Sequence, residues 1–395
     1  MPGGVLELMS LYLRIRRRVT RTAVFCLQLL GTLVMGKKGL ICYGPGVDDA
    51  TMEEVARRLA FYLPLHDPKS TIHVRSSFSP KLLTLCPTLL LGTGGLIEPL
   101  FKYRPKSYYV DHTAHYNDGA EWSRLASDCA GEPPKREVAR ATFVATIERL
   151  RKLQLSKAYL FGTGPSLKNA FEHDWSDGYR LVCNTVVKDR SLWKHINPHI
   201  LVAGDPIYHF GPSSFAKAFR KDLSLRLSET ETVFVYPELH HAIVMRELQQ
   251  FEDRLIPMPC RVHNGIVVDF FKTFALPTGP NVLNILLLPL GCFLSQHILL
   301  WGFDGRAPGD RLFWSNSVDH TYAEHMEDLL KSHPKFFEHH IPNNDLLKYS
   351  REVHGALLEN NLAAAEAMGW RFEMMHDTWT ATLARRQTRK ARASS

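Results

Sequence analysis

The chain has 395 residues, of which 45% are hydrophobic and 22% are charged, and its formal net charge is +8. This composition excludes a disordered or collagen-like chain and gives enough length for two globular domains. The seven cysteines stand singly, without a Cys-x-x-Cys pair, so we expect reduced core cysteines in a cytoplasmic protein. The positive charge favours an anionic partner, either a nucleotide, a nucleic acid or a membrane surface.

The N-terminal segment, residues 1–37, combines basic and apolar residues. Five arginines precede the mostly apolar run 22–36, and Lys37 and Lys38 follow it. A membrane-spanning helix needs about 20 apolar residues, and no small-residue cleavage site of a signal peptide follows. We therefore expect a basic amphipathic segment that contacts the inner face of an anionic membrane peripherally. The alternative is a helix that packs on the protein with a solvated basic end.

Residues 38–135 predict a small α/β domain, because short β-rich runs alternate there with helical stretches. The polar stretch 117–137 contains Gly-Glu-Pro-Pro and predicts a linker. The β-rich runs of this domain are 39–46, 71–78, 88–96 and 107–113.

The same alternation continues over residues 136–382, which predicts a second α/β domain, and a basic tail follows at 383–395. We predict an α/β fold of Rossmann-like type, a parallel sheet with helices on both faces. Helices are predicted over 136–154 and 350–369, and a turn that leads into a long apolar helix is predicted over 277–293. Apolar strands are predicted within 159–161, 179–187, 198–210, 232–239, 297–305 and 370–375.

Several of these strands end in polar groups. Gly162-Thr163-Gly164-Pro165-Ser166 follows the first strand, and Asn184, Asp205 and Asp304 follow later ones. Ligands of open α/β sheets bind outside the carboxyl ends of the strands, and glycines let the backbone approach a phosphate there. The turn lacks the third glycine of a dinucleotide fingerprint and the Gly-Lys-Ser/Thr ending of a P-loop. The pattern therefore predicts a phosphate site of another kind.

Each polar group at these strand ends also has a structural alternative. Ser166 is either a hydroxyl donor to phosphate or a helix N-cap. Asn184 suits base or ribose recognition, because an amide both donates and accepts, or it stabilises a loop. Asp205 holds a ligand hydroxyl or caps a turn, and Asp304 faces a ligand or orients the backbone.

Taken in order, these motifs resemble those of the bacterial CMP-sialic acid-dependent sialyltransferases. That family has a Gly-x-Gly-Pro-Ser-Leu turn, then a Cys-Asn strand end, then a Gly-x-Asp strand. The resemblance covers roughly residues 157–380, and motility-associated transferases and pterin diphosphokinase-like proteins share its first motif. The matching stretches are FGTGPSLKNAF (161–171), VCNTVV (182–187), VAGDPIYHF (202–210) and HILLWGFDG (297–305).

The resemblance implies that residues 136–382 form a nucleotide-binding transferase domain whose donor is a CMP-activated acidic sugar. Asn184 is then expected at the cytidine or ribose, and Asp205 stands where the family has an Asn that touches the donor. Thr278 and Gly279 stand near the family's Ser-Gly turn, and Asp304 belongs to the Gly-x-Asp motif. The residues expected at the phosphate are Gly162, Thr163, Gly164, Pro165 and Ser166.

The departing phosphate is expected to meet a different side chain from the family's. The family places a Tyr shortly after Gly-x-Asp, whereas Gly305 and Arg306 follow here. Arg306 offers charged donors as negative charge develops, and Tyr322 is a second candidate.

Inverting transfer needs a general base for the acceptor hydroxyl, and His suits this role near neutral pH. In the family this His lies between the Gly-x-Asp strand and the last helix of the domain. His354, at the start of the helix predicted over 350–369, is therefore the first candidate, and His340 and His339 are alternatives.

The resemblance implies neither a metal nor another cofactor, and the chain contains no Asp-x-Asp run. The acceptor is expected to be a saccharide or a lipid-linked saccharide. One competing interpretation is a pterin diphosphokinase-like enzyme, which would need a metal and clustered carboxylates. Another is a non-enzymatic, basic, membrane-associated or nucleic-acid-binding protein. The terminal basic clusters lack interleaved aromatic residues, which argues against nucleic acid.

Overall fold

The computed structural model of the protein divides into two compact units, Met1–Glu132 and Pro133–Ser395. The larger unit is described over 134–263, 265–279, 281–307, 320–333 and 355–388. The smaller unit is described only at 19, 22–23, 26, 57–58, 60–62, 89–92, 107–110, 122–124 and 126–127. The strands predicted over 39–46 and 71–78, and most of the basic segment 1–37, lie outside the described residues.

The smaller unit contains two neighbouring parallel strands, β1 (Leu89–Gly92) and β2 (Ser107–Val110). Both lie within runs that the sequence predicts as strands. Tyr62 and Trp122 stack with their ring centroids 5.7 Å apart, and both side chains are buried.

The larger unit is built on a seven-stranded sheet in which all neighbouring strands are parallel. Two short strands, β8 (Cys260–Arg261) and β9 (Leu276–Pro277), form a separate pair. The order across the large sheet is β11-β10-β3-β4-β5-β6-β7. Its strands are β3 (Lys157–Phe161), β4 (Gly178–Cys183), β5 (Ile200–Val202), β6 (Val233–Pro237), β7 (Leu255–Met258), β10 (His297–Trp301) and β11 (Arg371–Met374).

Helices connect these strands, as parallel pairing requires. Asp189 caps the helix that begins at Arg190, and Ser213 caps the helix that begins at Ser214. In each case the capping side chain accepts a backbone N–H of the first turn. The α-helices are α1 (Arg136–Arg151), α2 (Arg190–Ile196), α3 (Ser214–Glu229), α4 (His241–Leu248), α5 (Leu288–Leu294), α6 (Met326–Ser332), α7 (Ala356–Ala367) and α8 (Ala381–Ala384). Short 3₁₀ segments cover Pro165–Glu172, Asn184–Lys188, Glu238–His240, Gln249–Arg254 and Ala323–His325.

Both faces of the sheet are covered. On one face Phe143 of α1 stacks on Phe293 of α5 at 5.7 Å, within one core that also includes α7. On the other face Trp175 packs edge-on against Tyr159 and Phe161, 4.9 and 4.8 Å away. Alternate side chains of β3 therefore enter different cores. The predicted fold class, an α/β Rossmann-like parallel sheet, is confirmed.

Two predicted elements end or begin close to their expected positions. The strand predicted to end in Asn184 ends at Cys183, because Asn184 adopts a left-handed conformation with φ 50° and the chain turns into a 3₁₀ segment. The apolar helix predicted to follow a turn within 277–293 begins at Leu283, with a π-helical turn before α5.

The C-terminal end of the described chain belongs to the folded unit. Leu383 is buried, and Arg386 makes ion pairs with Glu359 and Glu366 of α7. Part of the positive charge predicted for the tail 383–395 is thus balanced by carboxylates. In the described part of the chain, no helix has both the length and the apolar character to cross a membrane.

Candidate functional site

The centre of the sheet has a topological switch point between β3 and β10. The chain leaves β3 towards β4 on one side and returns much later to place β10 on the other side. The connections after these two strands diverge, which is where open α/β sheets bind ligands. Two turns meet at this point, 162–166 after β3 and 302–305 after β10.

Backbone hydrogen bonds join the two turns. Gly162 N–H donates to Trp301 O at 2.8 Å, and Gly164 N–H donates to Gly302 O at 2.8 Å. A Cβ on Gly162 would lie 2.5 Å from the oxygen of Gly302, and Gly302 itself has φ +78°. Glycine is therefore required here by the approach of one turn to the other.

Asp304 accepts the hydrogen bonds of Ser166, a residue that the sequence assigns to phosphate binding. Its Oδ1 accepts the Ser166 N–H at 3.1 Å, and its Oδ2 accepts the Ser166 hydroxyl at 2.9 Å. A Cβ on Gly164 would collide with the same carboxylate. The motif glycine at 164 thus makes room for a side chain of this protein, and Ser166 binds Asp304 through both its donors.

His376 completes this cluster and was not among the residues predicted from sequence. Its Nε2 lies 2.7 Å from Ser166 Oγ and accepts the Gly302 N–H at 2.9 Å, while Nδ1 donates to Asp377 O at 2.8 Å. His376 is the second residue after β11. The rule that ligands gather at the carboxyl ends of parallel strands could have identified it.

The loop that carries His376 is tied to the turn after β10. Thr378 Oγ1 donates to Phe303 O at 2.7 Å and lies 3.0 Å from Asp304 O, which also accepts the Trp379 N–H at 2.7 Å. Trp379 is held at this edge with 65% of its surface exposed. The backbone at Phe303 and Asp304 is therefore held by the loop that carries His376.

Asn184 ends β4 next to the switch point. Its side chain is half-buried, and its Oδ1 is enclosed without a hydrogen-bond partner in the described part of the chain. A buried amide oxygen without a hydrogen-bond partner destabilises the folded state by about 1–3 kcal/mol. A ligand that donates a hydrogen bond to Asn184, or a change in its side-chain conformation, would remove this penalty. The neighbouring Thr185 hydroxyl donates to His320 O, and burial raises the pKa of Cys183 to about 12.

Asp205 follows β5 and orders its own turn. Its Oδ1 accepts the N–H groups of Ile207 and Tyr208 at 2.8 and 3.0 Å, which is the turn-capping role. Burial raises the pKa of Asp205, although these two backbone donors act in the opposite direction. No described side chain donates to its Oδ2.

Thr278 and Gly279 follow β9 and lie near the π-helical turn. Thr278 N–H donates to Arg261 O at 3.2 Å, and a Cβ on Gly279 would lie 3.1 Å from Leu357 and 3.6 Å from Ile285. This turn is therefore bordered by apolar side chains.

Of the two candidates for the departing phosphate, only one extends from the strand-end turn. Arg306 is half-buried, two residues after Asp304. Tyr322 is 2% exposed and donates its hydroxyl to Asp222 of α3 at 2.7 Å. Burial raises the pKa of Tyr322, with the Asp222 hydrogen bond adding to the effect. The Tyr322 hydroxyl is thus engaged in the interior.

The predicted general bases His354, His340 and His339 lie outside the described residues. Within the described ranges, no three His, Cys, Asp or Glu side chains converge as a metal site would require. Comparisons of this chain with family models, curated proteins and solved structures find no match. Function is therefore inferred from the fold and from the residues at the carboxyl edge of the sheet.

Proposed function

We propose that this chain is an inverting glycosyltransferase that transfers an acidic sugar from a CMP-activated donor to a saccharide acceptor. The sugar is sialic acid, a related nonulosonic acid or Kdo. The observation that carries the proposal is the meeting of the turn 162–166 with Asp304 at the switch point of a parallel sheet. The order of these motifs along the chain is that of the sialyltransferases they resemble.

The donor lies along the carboxyl ends of β10, β3, β4 and β5. Its phosphate lies against the turn 162–166, at the carboxyl end of β3. Its cytidine or ribose reaches Asn184, whose enclosed oxygen has no donor among the described residues, and Asp205 lies at the next strand end. The turn at Thr278 and Gly279 borders the nucleotide.

Negative charge on the departing phosphate is stabilised by Arg306. A guanidinium carries a permanent charge and several donors, and it gains most when the charge on the phosphate increases. A CMP leaving group carries one phosphate, so positive side chains take the part that a divalent ion plays with nucleoside diphosphate sugars. A histidine, His354 before His340 or His339, takes the proton of the acceptor hydroxyl.

The acceptor is a saccharide or a lipid-linked saccharide. The basic segment 1–37 would bring the enzyme to the anionic inner face of a membrane, where a lipid-linked acceptor is located. Its five arginines and its apolar run support peripheral contact.

A nucleotide thermal-shift series tests the proposal. CMP and CDP are expected to raise the melting temperature more than UDP, GDP or ATP, with EDTA present as well as with magnesium. A ligand at about 100 times its Kd stabilises by about 2.7 kcal/mol, which is readily measured. A preference for purine nucleotides that depends on magnesium would instead favour a pterin diphosphokinase-like enzyme.

A further inference from the structure

We propose that Asp304 determines which phosphate the turn 162–166 accepts. It favours the singly charged phosphodiester of a CMP-sugar over the doubly charged phosphate monoester of free CMP. The inference rests on the proposed function and extends it to the discrimination of donor from product.

The argument begins with the position of the carboxylate. Both oxygens of Asp304 bind Ser166, one through the N–H at 3.1 Å and one through the hydroxyl at 2.9 Å. The absence of a side chain at Gly164 lets the carboxylate approach the turn. A phosphate placed against this turn therefore has a negative charge as its neighbour.

Moving the carboxylate away from the turn would also break hydrogen bonds. Asp304 O accepts the Trp379 N–H at 2.7 Å, and the Thr378 hydroxyl lies 3.0 Å from the same oxygen. On the other side of the turn, His376 Nε2 lies 2.7 Å from Ser166 Oγ. The charge consequently stays at the turn when a ligand arrives, because the loop 378–379 holds the Asp304 backbone and the two Ser166 donors hold its carboxylate.

The size of the effect follows from the charge of the ligand. A phosphodiester carries one negative charge, whereas a phosphate monoester carries nearly two above its second pKa of about 6. One additional charge about 6 Å from a carboxylate, at an effective dielectric constant of about 40, weakens binding about tenfold. The site therefore favours the intact donor and releases CMP after transfer.

The experiment compares two ligands that differ in this charge. The Kd values of CMP and of cytidine 5′-(methyl phosphate) are measured by calorimetry at pH 8, with wild type and Asp304→Asn. In the wild type we expect the methyl ester to bind about tenfold more tightly than CMP. In Asp304→Asn the ratio should approach one, chiefly because CMP binds better. The amide keeps the shape of the side chain, with one oxygen for the Ser166 N–H and an NH₂ that donates to its hydroxyl.

Asp377→Asn is the matched control, because it removes the same charge from an exposed residue of the neighbouring loop. Its ligand ratio should equal that of the wild type. A ratio unchanged in Asp304→Asn, or reduced equally in Asp377→Asn, would overturn the assignment to Asp304. Failure of the wild type to bind either ligand would instead refute the proposed function, and the inference with it.

A measurement on the wild type alone covers the case in which Asp304→Asn does not fold. Raising the salt concentration from 0.05 to about 1 M shortens the Debye length to about 3 Å, so the preference for the ester should shrink. A preference that persists unchanged in high salt would have a steric origin and would contradict the inference.

Discussion

The hydroxyl of Ser166 lies 2.7 Å from Nε2 of His376, although 210 positions separate the two residues in the chain. Ser166 follows β3, His376 follows β11, and β10 lies between these strands. The imidazole therefore reaches across the end of β10, where it also accepts the Gly302 N–H. One side chain thus connects the ends of three neighbouring strands.

We expect His376→Ala to lower the free energy of unfolding by about 1–3 kcal/mol, because the Gly302 N–H loses its acceptor. His376→Gln, which can place an amide oxygen near the same donor, should recover part of the loss. Urea unfolding measures both variants. The control is His263→Ala at an exposed loop position, which should change stability little. Equal effects at 263 and 376 would contradict the role of His376.

Gly164→Ala should destabilise the protein by about 1–3 kcal/mol, because the new methyl group would collide with an Asp304 carboxylate oxygen and would lie 2.7 Å from the backbone oxygen of Gly302. The backbone φ at Gly164 is −72°, which alanine tolerates, so the cost is steric. In a double-mutant cycle, Gly164→Ala should cost less when combined with Asp304→Ala. Additive effects of the two substitutions would show that the cost arises at the Gly302 oxygen and not at the Asp304 carboxylate.

Arg306→Ala should reduce kcat with a CMP-sugar donor more than it weakens donor binding, because the guanidinium is needed most as the phosphate departs. Tyr322→Phe should leave both parameters close to wild type but cost stability, since it removes the hydrogen bond to Asp222. Single-turnover rates and donor Kd values separate the two effects. A large loss of kcat in Tyr322→Phe would reverse the assignment.

The general base is identified by comparing His354→Ala with His340→Ala and His339→Ala at saturating donor. Loss of a positioned base costs about 10²–10⁴ in rate, with donor binding largely retained. We expect that loss for His354→Ala. If His354→Ala turns over normally and His340→Ala or His339→Ala is inactive, the general base is His340 or His339 instead.

Stability should fall as the pH drops below about 6.5, because two buried histidines resist protonation. Burial lowers the pKa of His209 to about 3, and burial together with the neighbouring His209 lowers the pKa of His240 to about 3. Between about 6.5 and 3 the unfolded chain binds more protons, so acid favours unfolding. Urea unfolding from pH 7.5 to 4.5 measures this slope. His240→Phe, which keeps an aromatic ring against Phe210, should have a shallower slope than the wild type.

The ion pairs of Arg386 should stabilise the folded protein at neutral pH, and this stabilisation should decrease in strong acid. Hydrogen bonds from Arg386 and Arg385 lower the pKa of Glu359 to about 2. The carboxylate therefore contributes stability above its unfolded pKa near 4.5, and this contribution is lost as the pH falls towards 2. Arg386→Gln should cost about 1 kcal/mol at pH 7 and less at pH 2.5. Lys331→Gln, which breaks an exposed pair with Glu327, is the control and should cost almost nothing.

Local sequence determined the strands of this protein and the polar residues at their ends. The apolar runs that end in Gly162, Asn184, Asp205 and Asp304 predict parallel strands whose polar residues gather at one edge. This inference succeeds because strand periodicity and turn chemistry depend on consecutive residues. The same reasoning does not reveal the left-handed conformation of Asn184, with which the chain turns from the strand into a 3₁₀ segment.

Tertiary structure alone decided which residues at the strand ends contact one another. The sequence indicates that Ser166 is either a phosphate donor or an N-cap, whereas the fold gives it Asp304 and His376 as partners, 138 and 210 positions away. Such contacts depend on which strand lies beside β3, and that is decided by the crossovers and by packing on both faces of the sheet. A carboxylate, an imidazole and a hydroxyl that are distant in the chain meet because β11, β10 and β3 are neighbours, and no local pattern encodes that neighbourhood.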